Sequence, residues 1–386
     1  MGCGGSSGPA QTPLQTVQIA ALLPVTGGGP INGKAERAAV ELAVEDVNAH
    51  LAGIGSSTRV EAVIYDTQSS LDEEFRLITE VGNKKYPFAV FSATSNTLSL
   101  LKSQVDATGA IVLNEASTTP SLAIDDNLFR LVPEDRYSAR VISDLLRENG
   151  IEKVVFYYRD DTWGLTLQQE LASAFTAAGG AVADSIVYGF RTYPVDMDEK
   201  VAQLDASITL ALGGTPAAKV AVVLLAFDEG VEILQKAAAY PTLATVKWYT
   251  GDGLGQNSAL LQDAAAAAFA SQVGLYAPLI AEANSATYAA LKARIQAKSG
   301  SAYSFAPVMY DALWLAALTL AEAGGGAGPA VLKTTLIAKA AGYSAVTGPL
   351  VFNNAGDRSA CAYDFWAVGY WGGAYHWVKA YSGRTR

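Results

Sequence analysis

Residues 88–97, FAVFSATSNT, place a short apolar run, Phe88 to Phe91, just before a polar patch, Thr94 to Thr97. The chain repeats this arrangement when Ala110 to Leu113 precedes the patch Ala116 to Pro120. Such short apolar runs are typical of buried parallel strands, whose carboxyl ends meet at one edge of a sheet. In open α/β sheets small ligands bind at that edge, where hydroxyls and free amides hold a carboxylate. The two patches therefore predict a site for a small anionic or zwitterionic molecule.

Strand and helix patterns alternate along the chain from Val17 onward. This alternation predicts a parallel sheet with helices on both faces. A second series of the same kind begins after Asp135, so the unit occurs twice. A chain of 386 residues also exceeds the usual size of a single domain. We therefore predict an α/β protein of two Rossmann-like lobes with a cleft between them.

Apolar periodicity and turn residues set the expected elements. Strands are expected at 17–23, 60–65, 88–91, 110–113, 153–158, 181–188, 220–225 and 247–250. Helices are expected at 34–47, 137–149, 165–178, 199–210, 231–239, 284–298, 307–323 and 329–341. Ser70 to Glu73 predicts a capping box, and Asp228 is predicted either as a helix N-cap or as pocket lining. Short aromatic strands are expected from Gly348 onward.

The order of these elements predicts how the chain is divided. We expect a flexible tether at 1–16, a first lobe from 17–135 and 277–345, and a second lobe from 136–276 and 346–386. A chain that crosses between lobes several times makes a hinge of several segments.

Composition excludes several classes of protein. The formal net charge of -10 argues against a nucleic-acid partner, because phosphates would be repelled. No apolar run approaches the ~18 residues of a membrane span. Neither of the two cysteines, Cys3 and Cys361, belongs to a cluster with metal-ligand spacing. We predict neither a metal nor another cofactor.

The first residues are rich in glycine and serine and show no apolar periodicity. We interpret them as the start of a mature bacterial lipoprotein with its lipid on Cys3. Alternatively, Met1-Gly2 with Ser6 fits the short N-myristoylation pattern. A plain disordered tail is a third interpretation.

The stretch from Gly28 to Ala35 is close to the phosphate loop of nucleotide hydrolases. Ala35, however, stands where that motif needs a hydroxyl for magnesium. A glycine-rich turn that brings the backbone and a helix start to the cleft explains it better, so Asn32 becomes a candidate ligand-binding residue. No Gly-x-Ser-x-Gly elbow between a predicted strand and helix, no paired catalytic carboxylates and no metal triad emerges from the sequence, and we predict that the protein is not an enzyme.

Two second-lobe turns carry further candidates. Trp163 follows a predicted strand, where it serves either as an apolar lid over a ligand or as a core aromatic. Asp252 lies between two glycines at the end of another strand, where it serves either as a partner for an ammonium group or as ordinary turn chemistry.

Five motifs occur in an order that identifies a family: Ile19 to Gly27, Thr94-Ser95, Ser117 to Pro120, Asp161 to Gly164, and Gly251 to Gly253. In this order and spacing the chain, from about Val17 on, resembles type I periplasmic solute-binding proteins. It is most similar to the leucine/isoleucine/valine-binding branch of ABC transport systems. The resemblance implies two Rossmann-like lobes joined by a three-segment hinge that close around an amino acid.

The resemblance also implies roles for individual residues. Ser95 and Thr118 match the residues that hold the ligand carboxylate, Asp252 matches the acidic group that takes the α-ammonium, and Trp163 occupies the position of an aromatic lid. Asp252 is one methylene shorter than the glutamate common in that branch, and Ala226 or Phe227 replaces its tyrosine. The candidate ligand-binding residues are Asn32, Thr94, Ser95, Ala116, Ser117, Thr118, Trp163, Phe227 and Asp252.

The function implied is capture of an amino acid, aliphatic or aromatic, and its delivery to the membrane permease of an ABC transporter. We expect a monomer that is periplasmic or cell-surface and held to the membrane through Cys3. The family also includes binders of amides, urea and aromatic acids, which stay open as alternatives. A further alternative function is that of a ligand sensor that docks on a signalling receptor.

Overall fold

The computed structural model describes residues 14–29, 31–189, 196–283, 285–301, 303–359 and 361–385. Cys3 and most of the expected tether lie outside the described residues, and the first strand begins at Gln15, two residues earlier than expected. The strands are β1 Gln15–Leu23, β2 Thr58–Asp66, β3 Phe88–Phe91, β4 Ile111–Asn114, β5 Leu128–Arg130, β6 Lys153–Arg159, β7 Ala181–Tyr188, β8 Val220–Leu225, β9 Lys247–Thr250, β10 Ala277–Ile280, β11 Tyr363–Trp371 and β12 Ala374–Arg384.

The eight helices with expected bounds agree with them to within a turn or two at their ends, whereas the helices at 95–100, 102–107, 258–262 and 264–273 were not predicted. The helices are α1 Gly33–Gly53, α2 Leu71–Lys84, α3 Ser95–Leu100, α4 Lys102–Ala107, α5 Asp135–Glu148, α6 Thr162–Ala177, α7 Met197–Ala211, α8 Gly230–Ala237, α9 Ser258–Gln262, α10 Ala264–Val273, α11 Ala286–Ser299, α12 Ala306–Ala323 and α13 Pro329–Gly342. Among the described residues, no helix is both long enough and apolar enough to cross a membrane.

Each lobe is a parallel sheet between two layers of helices. The first sheet has the order β2-β1-β3-β4-β5, with α1, α11, α12 and α13 on one face and α2, α3 and α4 on the other. The second has the order β7-β6-β8-β9, with α7, α8 and α10 on one face and α5 and α6 on the other. Strands such as β3, β4 and β8 are buried at every position because both faces of their sheet are covered. The predicted two-lobed α/β fold is confirmed.

A third sheet, β10-β11-β12, is antiparallel and adjoins the second lobe through a bridge between Tyr249 and Tyr276. The segment that precedes β11 contacts the first lobe instead. Asp357 in this segment bridges Arg130 at the end of β5, and their side chains form a buried ion pair at 2.6 Å. Both contacts favour points of crossing between the lobes that lie later in the chain than the expected boundaries at residues 276 and 345. The division into lobes remains a prediction.

Three local expectations are wrong. Ser70 precedes α2, but its side chain makes no hydrogen bond to the start of the helix. The Glu73 carboxylate, the other half of the expected capping box, accepts a hydrogen bond from Arg76 at 2.8 Å. Asp228 is not the N-cap of α8, a position that Glu229 holds; its carboxylate accepts from Asn257 at 2.7 Å. The aromatic strands begin at Tyr363 rather than soon after Gly348.

Candidate functional site

Residues at the carboxyl ends of both parallel sheets line one cavity of about 770 Å³. Two of the predicted site residues are not among the lining residues: Ser117 is fully buried and Thr118 is 8% exposed. The predicted site residues that line the cavity are Asn32, Thr94, Ser95, Ala116, Trp163, Phe227 and Asp252. The strand ends on which they lie belong to different lobes, so the cavity is formed between the lobes.

Ser95 is the centre of the first-lobe wall. Its hydroxyl oxygen accepts hydrogen bonds from the amides of Thr118 at 3.1 Å and Thr119 at 3.2 Å. The Ser117 hydroxyl donates to the same oxygen at 3.2 Å. A serine hydroxyl offers one hydrogen and two lone pairs, so these contacts use its acceptor capacity. The Ser95 hydrogen is the part of this group that is left to donate to a ligand.

Asn114, the last residue of β4, joins the two first-lobe turns. Its amide nitrogen donates to the carbonyls of Phe91 and Ala93 at 2.8 and 2.9 Å, and its carbonyl oxygen accepts from the amides of Ala116 and Ser117 at 3.1 and 2.7 Å. Since Asn114 is fully buried, these four bonds fix the positions of both turns relative to each other.

Asp135 lies directly behind this wall, at the start of α5. Its carboxylate accepts from the Thr118 hydroxyl at 2.9 Å, and its amide donates to the Thr118 carbonyl at 2.8 Å. Burial raises the pKa of the Asp135 carboxyl well above its ordinary value, and repulsion from Asp252 adds to the shift. The Asp135 and Asp252 carboxyls are therefore close enough for their charges to repel each other.

An aromatic pair forms part of the second-lobe wall. The rings of Trp163 and Phe227 stack with centroids 4.5 Å apart and an angle of 19° between them. The Arg159 guanidinium lies 4.3 Å from the Phe227 centroid. Trp163 is only 3% exposed, so it lies within the wall rather than projecting from it. Its role as a lid remains a prediction.

The two glycines around Asp252 are explained by this pair. A Cβ on Gly251 would come within 2.8 Å of the Trp163 ring, and one on Gly253 within 2.4 Å of the Phe227 ring. Only glycine lets the turn approach the rings this closely, and the approach brings the Asp252 carboxylate beside the aromatic surface.

Asp252 itself is an unusual carboxyl group. Burial raises its pKa to about 6. Hydrogen bonds from its own amide, from Trp163 and from the Gly253 amide lower the pKa but do not outweigh burial. It forms no ion pair with any described residue. A cation brought by a ligand would therefore find a carboxylate without a protein counter-charge.

The glycine-rich turn brings the start of α1 to the cavity. Asn32 caps this helix, with its side-chain oxygen accepting from the Ala35 amide at 3.0 Å. A Cβ on Gly33 would lie 2.0 Å from the Pro24 carbonyl oxygen, so glycine is required there.

Comparison with known proteins places this geometry in a family. The sequence model of the periplasmic binding protein family matches residues 16–368. The chain belongs to this family. The resemblance inferred from the sequence is thereby confirmed, and the family is one of solute-binding proteins that act outside the cytoplasm rather than of enzymes.

Individual relatives are distant. An uncharacterized protein of Methanocaldococcus jannaschii is 23% identical over 373 residues, 91% of this chain and 87% of the relative. The branched-chain amino acid transporter substrate-binding protein LivJ of Streptococcus pneumoniae, solved with isoleucine, is 22% identical with a TM-score of 0.73, over 95% of this chain and 100% of that one. A solute-binding protein of R. palustris, solved with benzoate, is 17% identical with a TM-score of 0.73, over 96% of this chain and 98% of that one. At these identities the structures show a shared fold.

The site of this periplasmic binding protein includes residues that the sequence analysis missed. Asp135 stood only as a boundary between the two series, and Asn114 lay just beyond the expected strand at 110–113 and was not singled out. Gln256 lines the cavity in the left-handed conformation, with φ of 56°, which is uncommon for a residue with a side chain. It accepts from Ser304 at 2.6 Å, a contact between segments distant in sequence that no local pattern predicts.

A second pair of carboxyls, Glu36 and Glu115, is buried in the first lobe. Burial raises the pKa of Glu36 well above its ordinary value, with repulsion from Glu115 next in size. Burial raises the pKa of Glu115 to about 7, and Ser92 donates to it at 2.8 Å. Within the described part of the chain, no group of three or more histidines, cysteines and carboxylates could hold a metal ion.

Proposed function

We propose that this periplasmic binding protein captures an α-amino acid in the cleft and delivers it to an ABC permease. The observation that carries the proposal is that one cavity brings together the Ser95 hydroxyl and the Asp252 carboxylate. A hydroxyl with a free hydrogen suits a carboxylate, and a carboxylate without a counter-charge suits an ammonium. An α-amino acid carries both groups on adjacent atoms.

The proposed carboxylate site is rigid before the ligand arrives. Ser95 donates its hydrogen to the ligand, while the Thr118 and Thr119 amides hold its oxygen in place. We assign Ser117 and Thr118 to positioning, since neither lines the cavity. A hydrogen bond to a charged group contributes about 1.5–3 kcal/mol, so few such bonds are needed to fix the head group.

The proposed ammonium site is completed by the ligand. Asp252 takes the α-ammonium. Closing the lobes over a half-buried carboxylate costs free energy unless it is paired, so a ligand ammonium favours the closed arrangement of the lobes. Ligand binding then closes the two lobes by a hinge motion.

The stacked rings of Trp163 and Phe227 support an aliphatic or aromatic portion in the ligand side chain, because they offer a flat apolar surface beside Asp252. The lipid anchor on Cys3 and the monomeric state belong to the proposal too.

A thermal-shift panel tests the proposal. It would contain the twenty amino acids, urea, short amides and benzoate at millimolar concentration. A ligand at about 100 times its Kd adds roughly 2.7 kcal/mol to the free energy of unfolding, which raises the melting temperature visibly. We expect stabilisation by one or a few α-amino acids. Stabilisation by urea, amides or benzoate alone would contradict an amino-acid function.

An aromatic carboxylate is the second candidate ligand. It is favoured by the fold shared with the benzoate-bound protein and by the aromatic pair. Under this alternative Asp252 would stay protonated, and benzoate would stabilise the protein more at pH 5 than at pH 7.

A further inference from the structure

Besides the residues assigned to the head group, the cavity is lined by a second polar set. Asp228, Gln256, Asn257 and Ser304 all line it. Ligand pockets measure about 300–1,000 Å³, so a cavity of about 770 Å³ has room beyond a small amino acid. This polar set, which we call the distal wall, is therefore available to the far end of a ligand.

Asp228 is the charged residue of the distal wall. Its Oδ1 accepts from the Asn257 amide nitrogen at 2.7 Å, and it forms no ion pair with any described residue. The Arg159 guanidinium acts on it electrostatically but is ion-paired with Asp161 at 2.6 Å and Glu229 at 2.8 Å. Asp228 is exposed at the mouth of the cavity and Asp252 is half-buried, and both line the cavity without a protein counter-charge.

The charges around the cavity do not balance. The charged residues among its described lining are Lys34, Asp228 and Asp252, two carboxylates against one ammonium. Lys34 is exposed. A zwitterion such as leucine adds no net charge and leaves this excess in place. A ligand with one additional positive charge would neutralise it.

The surroundings of Tyr303, another lining residue, are also acidic. Burial raises its pKa well above the ordinary value, and four carboxyls add to the shift, those of Glu36, Glu115, Asp252 and Asp228. Glu36 is fully buried, and neither of its carboxyl oxygens has a hydrogen-bond partner among the described residues. Of these four carboxyls, those of Asp252 and Asp228 line the cavity together with Tyr303.

The two lining carboxylates lie on neighbouring turns of the second-lobe wall. Asp228 and Asp252 follow β8 and β9, which are adjacent strands of the second sheet. The Phe227 ring is close to the turn that carries Asp252, because a Cβ on Gly253 would lie 2.4 Å from it, and Phe227 directly precedes Asp228 in the chain. The apolar surface of the ring suits the methylene groups that would join two charged ends.

We propose that the ligand is a basic amino acid, whose distal ammonium or guanidinium binds Asp228 while its α-ammonium binds Asp252. This inference rests on the proposed function and narrows it, because the aliphatic part of such a side chain lies on the aromatic pair.

Calorimetric titration of the wild-type protein tests the proposal with matched probes. L-Lysine, L-ornithine and L-arginine carry a distal cation; L-norleucine has the carbon chain of lysine without it. At least one basic amino acid should bind about tenfold or more tightly than norleucine. Equal or tighter binding of norleucine would overturn the inference while leaving the proposed function standing. If no α-amino acid binds, the proposed function fails and the inference with it.

Asp228→Asn tests the residue itself. The change should weaken binding of the preferred basic amino acid by about tenfold or more and leave norleucine unchanged, since Asn keeps the size of the side chain. The matched control is Asp160→Asn, the same change at the end of β6 at a residue outside the cavity lining, which should alter neither affinity. Equal losses for lysine and norleucine would overturn the assignment of Asp228 to the distal cation.

Discussion

The two walls of the cavity solve different parts of the binding problem. The first-lobe wall is internally bonded: Ser95 holds two amides and a hydroxyl, and Asn114 ties both turns together. The second-lobe wall ends in the Asp252 carboxylate, which forms no ion pair with any described residue. One wall is complete without a ligand, and the other is completed by it.

This difference separates rigidity from selectivity. A preorganised wall loses little entropy on binding, so the first lobe is suited to the carboxylate common to all amino acids. An unpaired carboxylate penalises a ligand without a cation, so the second lobe is suited to discrimination. Mutations in the first wall should therefore affect folding as well as binding, and those at Asp252 mainly binding.

The largest effect is expected from Asp252→Asn. Losing the charge that pairs with the α-ammonium should weaken amino-acid binding by at least about tenfold, ~1.4 kcal/mol. Calorimetric titration measures this loss, with Asp160→Asn as the control that keeps wild-type affinity. Unchanged affinity in Asp252→Asn would remove this residue from the site.

A similar effect is expected from acid. Because burial raises the pKa of Asp252 to about 6, lowering the pH from 7 to 5 protonates it and should weaken binding by about tenfold. The pH dependence of stability in the ligand-free protein has the opposite sign to that of binding. The folded state keeps this proton to a higher pH than the unfolded state, so the group's contribution to stability is present at low pH and declines as pH rises through about 6. Titrations at both pH values check the first effect, and Asp252→Asn should flatten the pH dependence of binding. The pH dependence of stability should only decrease, because burial also raises the pKa of other carboxyls such as that of Glu115.

A smaller effect on binding is expected from Ser95→Ala. The change removes the hydrogen donated to the ligand carboxylate and should weaken binding about fivefold, ~1 kcal/mol. It also leaves the buried Thr118 and Thr119 amides without their acceptor, which should lower the free energy of unfolding by about 1–3 kcal/mol. Denaturant titration measures the second loss. Wild-type stability in this variant would contradict the claim that the Ser95 oxygen holds the first-lobe wall together.

The smallest effect is expected from Trp163→Phe. The variant keeps a ring to stack on Phe227 but removes the hydrogen bond to Asp252, so affinity should fall about threefold, ~0.7 kcal/mol. The apparent pKa of Asp252 in the pH profile of binding should rise at the same time. An unchanged profile would reduce Trp163 to a packing role.

Sequence patterns predicted most of the architecture because it depends on short-range periodicity. Short apolar runs such as Phe88–Phe91 between turn residues are typical of strands in a sheet covered on both faces, and the polar residues after them then lie at one edge. The capping box at Ser70 was wrong because a local motif competed with another local partner, Arg76.

The parts of the site that sequence missed depend on contacts between distant segments. Asp135 acquires its role from Thr118, and Gln256 from Ser304 and an uncommon backbone angle. Asp228 was predicted as a helix cap or as pocket lining, since Asp before a helix is common at caps. The structure places Glu229 at the cap and Asp228 in the cavity lining beside Asn257. Such side-chain pairings leave no periodic signal in the chain.

The central claim is that Asp252 pairs with the α-ammonium of an amino acid. The most direct test is a double comparison by calorimetry: the preferred amino acid and the same molecule without its α-amino group, each titrated into the wild type and Asp252→Asn. The account predicts that removing the amino group or changing the residue each costs at least about tenfold in affinity, and that the two losses together are not additive. Additive losses, or wild-type binding of the deaminated molecule at full affinity, would contradict the claim.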